Sequence, residues 1–228
     1  MLSSVPWRES SLRIEIFSRH YGRLSMLARS ARRRQSELRG VLMPFTPLSL
    51  SWFGANELRT LHKAERIGGW RQPTAMNLMS AFYINELLLK MTAREDAAES
   101  LYDALFIAMK NLAENNDSQH TQSVLRSFEW NLLQNCGYAP DTEYDEKGGK
   151  IDDDVLYLML PEHSARPVTT TDEHNLFIHG ATLRSLRENN FSDRRSLHEA
   201  KMLNRMLLDF RLPESLCSRR ITTQMIEF

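Results

Sequence analysis

Five arginines fall within eleven residues, Arg29, Arg32, Arg33, Arg34 and Arg39, in a chain of 228. A guanidinium stays charged at any physiological pH and presents a planar fork of donors that fits phosphate oxygens, so this segment has the chemistry to hold a nucleic-acid backbone. Trp7, Tyr21 and Trp52 offer stacking surfaces for unpaired bases, although each taken singly is better read as a packing residue. Asp152, Asp153 and Asp154 with Glu162 form the one carboxylate group that could hold magnesium for a nuclease. No nucleophile, base or glycine-rich phosphate loop accompanies them, so no catalytic residue is assigned. A metal-dependent nucleic-acid-processing enzyme stays as the weaker alternative to a binding protein. His163, His174 and His179 lack a second cysteine or histidine at ligand spacing, and a structural zinc needs four ligands; no metal or other cofactor is expected. Arg126 stands two residues before Phe128, a cation beside an apolar stripe, and is a candidate rim charge for a groove that takes an acidic, hydrophobic tail. Arg194 and Arg195 are a second candidate pair, placed where a helix start disfavours cations.

The overall charge hides this concentration. Lysine and arginine number 29, as do aspartate and glutamate, yet residues 1–72 hold 13 basic and 5 acidic side chains, a net of +8, which leaves the remainder at −8. A basic front and an acidic back suggest that one half meets a polyanion and the other does not. With 42% hydrophobic residues, nine glycines, eight prolines and two cysteines, the composition excludes a mostly disordered chain, a collagen-like one and a disulfide scaffold. The apolar run around Phe82 to Met91 is broken by Asn85 and Glu86 and is too short for a membrane span, and Met1 to Ser10 has no secretory pattern. Cys136 and Cys217 are expected as buried thiols of a cytoplasmic protein.

The elements that must position these residues follow from periodicity. Leu12, Ile14 and Ile16 alternate with Arg13 and Glu15, the mark of a half-buried strand; Arg23 to Arg29, Met43 to Phe53 and Glu57 to Ile67 read as three more. Short strands at this spacing predict a small antiparallel barrel or sandwich with the arginine run as a strand-to-strand loop. Pro73-Thr74 opens a helical region with Thr74 as its cap. Met76 to Met91 is apolar on most sides, Leu101 to Leu112 and Val124 to Leu133 are one-sided stripes, and Gly137 and Pro140 close the third helix. Asp141 to Asp154 reads as an acidic loop, Val155 to Leu160 as a short strand, Leu197 to Phe210 as an amphipathic helix, and Ser218 as the cap of a last one. The fold class is therefore α+β in two domains: residues 1–70, a DNA-binding barrel, and residues 71–228, a helical domain.

Pro6-Trp7-Arg8-Glu9-Ser10-Ser11-Leu12, His20-Tyr21-Gly22-Arg23-Leu24, Ala28-Arg29-Ser30-Ala31-Arg32, Leu38-Arg39-Gly40, Pro44-Phe45 and Glu57-Leu58-Arg59-Thr60-Leu61 resemble, in order and spacing, the N-terminal domain of the RecO recombination mediators. Tyr83-Ile84-Asn85-Glu86-Leu87, Arg126-Ser127-Phe128-Glu129, Gly137-Tyr138 and Leu216-Cys217-Ser218-Arg219 resemble that family's helical domain, so the likeness covers nearly the whole chain. The resemblance implies an oligonucleotide/oligosaccharide-binding (OB) barrel and a non-enzymatic role: binding single- and double-stranded DNA, annealing complementary strands, and acting with RecR to load RecA onto DNA coated by single-stranded-DNA-binding protein. It implies a bacterial cytoplasmic location at the nucleoid. Arg8 and Arg23, carried by the quoted motifs, join Arg29, Arg32, Arg33, Arg34 and Arg39 as the expected DNA-binding set. Arg126 and Phe128 become the expected contact for the acidic C-terminal tail of single-stranded-DNA-binding protein. The chain departs from the family in two places. No cysteine stands in Asp141 to Asp154, where many members carry zinc ligands, which places it with the zinc-lacking branch. A full first strand is also expected before Pro6, and Met1 to Val5 supply only part of one, so a truncated barrel or an upstream start is expected.

Overall fold

The computed structural model describes residues 1–68, 71–172, 174–191, 193–212, 214 and 216–226, with the side chains of residue 75 and residues 222–226 left aside. The contacts divide the chain into two compact units, Met1–Asn116 with Ile221–Phe228, and Asp117–Arg220. The first two helices thus group with the strands.

In the first unit five strands form one sheet: β1 (Ser3–Trp7), β2 (Ser11–Ser18), β3 (Gly22–Ala28), β4 (Leu48–Phe53) and β5 (Leu58–Arg66), in the order β1-β2-β3-β5-β4. The alternation of β2 sends Ile14 and Ile16 into a core shared with Leu24, Met26, Ala28 and Leu61, while Arg13 and Glu15 take the opposite face. Gly22, which starts β3, has φ +62°, and a Cβ there would lie 1.9 Å from the backbone oxygen of Asp96, so no other residue fits. Helix α1 (Ala75–Met91) buries Ala81, Ile84, Leu87 and Leu88, as its nearly continuous apolar surface requires. Helix α2 (Glu99–Glu114) follows, and the buried Asn77 side chain donates to the carbonyls of Leu112 and Asn115 at 2.8 Å, satisfying acceptors that a helix end leaves open. Thr74 stands at the N-cap of α1 with an extended backbone, but its side chain makes no capping hydrogen bond.

The expected OB-type antiparallel barrel is corrected in two respects. The sheet is open: β1 and β4 are its edges, and two hydrogen bonds of Met1, from its amine to the Thr46 carbonyl and from the Phe45 amide to its own carbonyl, both 3.0 Å, stand where a closing ladder would run. It also contains one parallel pair, β3 with β5. The reason is topological: the β4–β5 hairpin folds back so that β5, not β4, takes the place beside β3. β4 therefore begins only at Leu48, because Met43 to Pro47 are spent reaching that position.

The second unit begins with α3 (Ser118–Asn135), capped by Asp117, whose carboxylate accepts the His120 amide at 2.8 Å, and closed by Gly137 at φ +73°. Three short strands follow, β6 (Leu156–Met159), β7 (Arg166–Val168) and β8 (Leu176–His179), in the order β7-β6-β8, all antiparallel. Then come α4 (Gly180–Glu188), α5 (Arg194–Arg211) and α6 (Cys217–Ile226). The expected short strand at Val155 to Leu160 is β6, and the expectation of an otherwise helical domain is corrected by β7 and β8, whose three or four residues are too short to show a period of two. The acidic stretch 141–154 is folded into turns: Tyr144 bridges Lys150, and the Asp145 carboxylate accepts the amides of Lys147 and Gly149 at 2.8 and 2.9 Å. Ser218 lies one residue inside α6 and is not its cap.

Candidate nucleic-acid interface

The arginine loop leaves β3 at Arg29 and is built from successive turns, with the amides of Arg33, Ser36 and Arg39 bonded three residues back to Ser30, Arg33 and Ser36. Three apolar residues spaced through it, Ala31, Leu38 and Leu42, insert into the sheet core, so the loop is anchored along its length. Arg32, Arg33, Arg34 and Arg39 stand between the anchors, together with Glu37, and Arg29 just before them; all five arginines are exposed. The Arg32 amide bonds the Ser10 carbonyl at 2.9 Å and its guanidinium reaches the carbonyls of Arg8 and Glu9 at 3.3 Å, which brings the exposed Arg8 to the same end of the sheet. Arg32, Arg34 and Arg39 line one cleft with Leu12 and Leu38; Arg33 and Arg34 line the next.

Among the described residues none of these six arginines is paired with a carboxylate. Four other arginines of the unit are paired instead: Arg13 and Arg94 share Glu15 at 3.4 and 3.1 Å, Arg19 holds Glu99 and Asp103, and Arg59 holds Glu95 at 3.1 Å. The loop therefore keeps its positive field uncancelled.

Arg23 is not brought to this cluster. It stands at the opposite end of β3, about 20 Å away at ~3.3 Å per residue, and its guanidinium donates to the Leu89 carbonyl at 2.8 Å. Burial lowers its pKa below the usual arginine value, with Glu15 opposing that shift. Among the aromatic candidates, Tyr21 meets Trp52 edge-on at 5.1 Å and Arg59 sits over the Trp52 ring at 5.8 Å. Trp7 is half-buried in β1.

The second unit holds the remaining candidates. Arg126, expected on a groove rim, is 6% exposed; it donates to Glu129 at 2.7 Å, and the Asn204 side chain from α5 reaches both the Arg126 carbonyl and Glu129. Phe128 is 1% exposed, in the core. The expectation of an open rim is corrected here, because the i to i+3 pair with Glu129 lets the cation enter the interior already neutralised. The Arg126-x-x-Glu129 spacing was the readable signal for that pair. Asp153 is held by Arg184 at 3.0 Å and Glu162 by Arg211 at 2.8 Å, and among the described residues no three histidines, cysteines or acidic residues are arranged for a metal ion. Cys136 is half-buried and Cys217 exposed, neither in a disulfide, which corrects the expectation that both are buried. No described helix is long and apolar enough to cross a membrane.

Residues 1–70 match the family model described as "Recombination protein O N terminal", and residues 74–220 match "Recombination protein O C terminal". The chain belongs to the RecO family. It is 49% identical over 233 residues to the DNA repair protein RecO of Neisseria gonorrhoeae strain NCCP11945, covering all of this chain and 93% of that protein. It is 39% identical to the DNA repair protein RecO of Chromobacterium violaceum, over 97% of this chain and 91% of that one, and 37% identical to that of Thiobacillus denitrificans, over 100% and 91%. A RecO-family chain has its role in DNA repair and recombination. The unpaired arginine loop lies wholly within the part matched by the N-terminal model.

Proposed function

We propose that this chain acts in recombination and repair by stoichiometric contact with DNA, as a mediator without a catalytic site. The observation that carries the reading is the anchored loop whose five exposed arginines, joined by Arg8, have no carboxylate partner among the described residues. Such a loop grips the sugar–phosphate backbone of single- and double-stranded DNA and leaves bases free, which is what annealing of complementary strands requires. In this reading Arg23 supports the sheet. The partners are RecR, single-stranded-DNA-binding protein and, through them, RecA, whose loading onto coated DNA the chain assists in the bacterial cytoplasm at the nucleoid. A tail carboxylate from single-stranded-DNA-binding protein that used Arg126 would have to displace Glu129, so that contact is proposed as an exchange of partners, with Phe128 supporting it from the core.

The test is an annealing assay with labelled complementary strands, with and without single-stranded-DNA-binding protein and with magnesium present. The mediator reading expects faster annealing and strands of unchanged length. Shortened strands would favour a metal-dependent enzyme, and no acceleration by the intact chain would overturn the reading.

A further inference from the structure

The acidic half of the chain carries one surface of opposite sign. Residues 117–220 hold 13 basic and 17 acidic side chains, a net of −4. Five of this unit's arginines are locked to carboxylates: Arg126 to Glu129, Arg166 to Glu146, Arg184 to Asp153, Arg211 to Glu162 and Arg219 to Asp209. α5 differs. Its buried side carries Leu197, Ala200, Leu203 and Leu207. Arg194, His198, Lys201 and Arg205 are all exposed, and their spacing of four, three and four residues stacks them in a single row on the other side. The row is about 16 Å long at ~1.5 Å per residue, with successive side chains about 5 to 6 Å apart.

Helix stability does not explain this row. A helix start favours acids and disfavours cations, yet Arg194 and Arg195 fill the first turn, with Asp193 present only as the cap. Solvated helix faces gain support from alternating signs at four-residue spacing, whereas this face offers one such pair, Arg205 with Asp209 at 3.5 Å, at its far end. Arg194 and Lys201 have no carboxylate partner among the described residues. A linear row of basic side chains on a rigid helix, with Arg194 and Lys201 unpaired among the described residues, suits a linear polyanion better than a compact anion.

We propose that the outer face of α5 is a second phosphate-binding surface, which holds the sugar–phosphate backbone of a second DNA strand while the arginine loop holds the first. The proposal rests on the annealing role stated above, and it supplies what annealing needs: two polyanions that repel each other are brought together by two separate cationic surfaces of one chain. Arg194, Lys201 and Arg205 make the phosphate contacts, and His198 lies between them.

The experiment uses the full chain with Arg194→Ala, Lys201→Ala and Arg205→Ala combined, its thermal melting compared with the unmodified chain. Capture of a second strand is read by energy transfer between two non-complementary labelled oligonucleotides, and first-strand binding by anisotropy across a salt series. The expected result is first-strand affinity within about twofold, with second-strand capture and annealing both reduced about tenfold or more, as the loss of up to three phosphate contacts requires. Substituting lysine at Arg194 and Arg205 should restore capture, since the charge is what binds. Unchanged capture and annealing overturn the proposal, and so does loss of binding to a glutamate-rich peptide with DNA capture intact, which would mark a protein-docking face. The loop variant Arg32→Ala, Arg33→Ala, Arg34→Ala separates the two ideas. If it loses first-strand binding while the α5 variant still captures a second strand, the α5 surface fails and the mediator reading stands. If it keeps first-strand binding and the α5 variant loses it, the loop placement fails and α5 is the first-strand site, which overturns the assignment of α5 to a second strand.

Discussion

Arg32 and Arg126 are the same residue in opposite settings. Arg32 is exposed on a loop pinned by Ala31, Leu38 and Leu42, with only backbone carbonyls in reach; Arg126 is buried on α3 against Glu129 and Asn204. The difference lies in the neighbouring residues. Where apolar anchors alternate with arginines and no carboxylate pairs with them, although Glu37 stands in the same loop, the fold leaves the cations outward and unpaired. Where an acid stands three residues on along the same helix, the pair can be buried together. An arginine next to an apolar stripe is thus a contact residue or an internal strut according to whether a carboxylate shares its face.

The comparison breaks most visibly at Arg126. Arg126→Ala leaves Glu129 buried and unpaired and should destabilise the protein by about 3 to 5 kcal/mol, while Arg126→Met with Glu129→Leu recovers most of that loss. Denaturant melts of both variants check this, and DNA affinity of the folded fraction should stay the same. If Arg126→Ala melts normally, the buried pair with Glu129 is not a structural strut; weaker binding of an acidic tail peptide by the folded variant is what the proposed exchange of partners expects in either case. Next in size is Gly22, which supports the sheet that carries the loop. Gly22→Ala meets the Asp96 carbonyl and a left-handed backbone, and should cost on the order of 2 kcal/mol in a thermal melt. A variant as stable as the parent would show that the Asp96 segment moves freely away from β3.

The smallest effect sharpens the contrast between exposed charges. Asp193 is exposed, yet the nearby Ser196 side chain and the Ser196 amide, which donates to it at 2.8 Å, hold its carboxyl below the usual aspartate value. A depressed carboxyl contributes stability above its unfolded value of about 4, and that contribution is lost as pH falls through the lower folded value. Asp193→Ala should therefore cost about 1 kcal/mol near neutrality and progressively less in acid. Melts at neutral pH and in strong acid measure the difference, and a constant cost across that range would mean that the cap is not electrostatic.

Much of this was legible beforehand, for identifiable reasons. β2, β3 and β5 were read to within about a residue or two because alternation such as Leu12, Ile14 and Ile16 is local; α1, α3 and α5 were recognised from their long apolar stripes, although α3 starts at Ser118, well before Val124, and α5 at Arg194, before Leu197. The parallel β3–β5 pair and the open sheet were not, since both depend on where the β4–β5 hairpin lands relative to distant residues. β7 and β8 were missed because three or four residues cannot display a period. The arginine run was readable as a charge density, but its anchoring by Leu38 and Leu42 was not, and the α5 row was passed over because only Arg194 and Arg195 are adjacent in sequence.

The most direct measurement of the central claim is the salt dependence of DNA affinity for the intact chain and for the variant with Arg32, Arg33 and Arg34 replaced by alanine. With a single strand as ligand, each phosphate contact contributes about −0.7 to the slope of log affinity against log salt. The account predicts that the variant binds every sequence more weakly and that its slope is shallower by about 2, the share of three contacts. An unchanged affinity and slope would place the phosphate contacts elsewhere and contradict it.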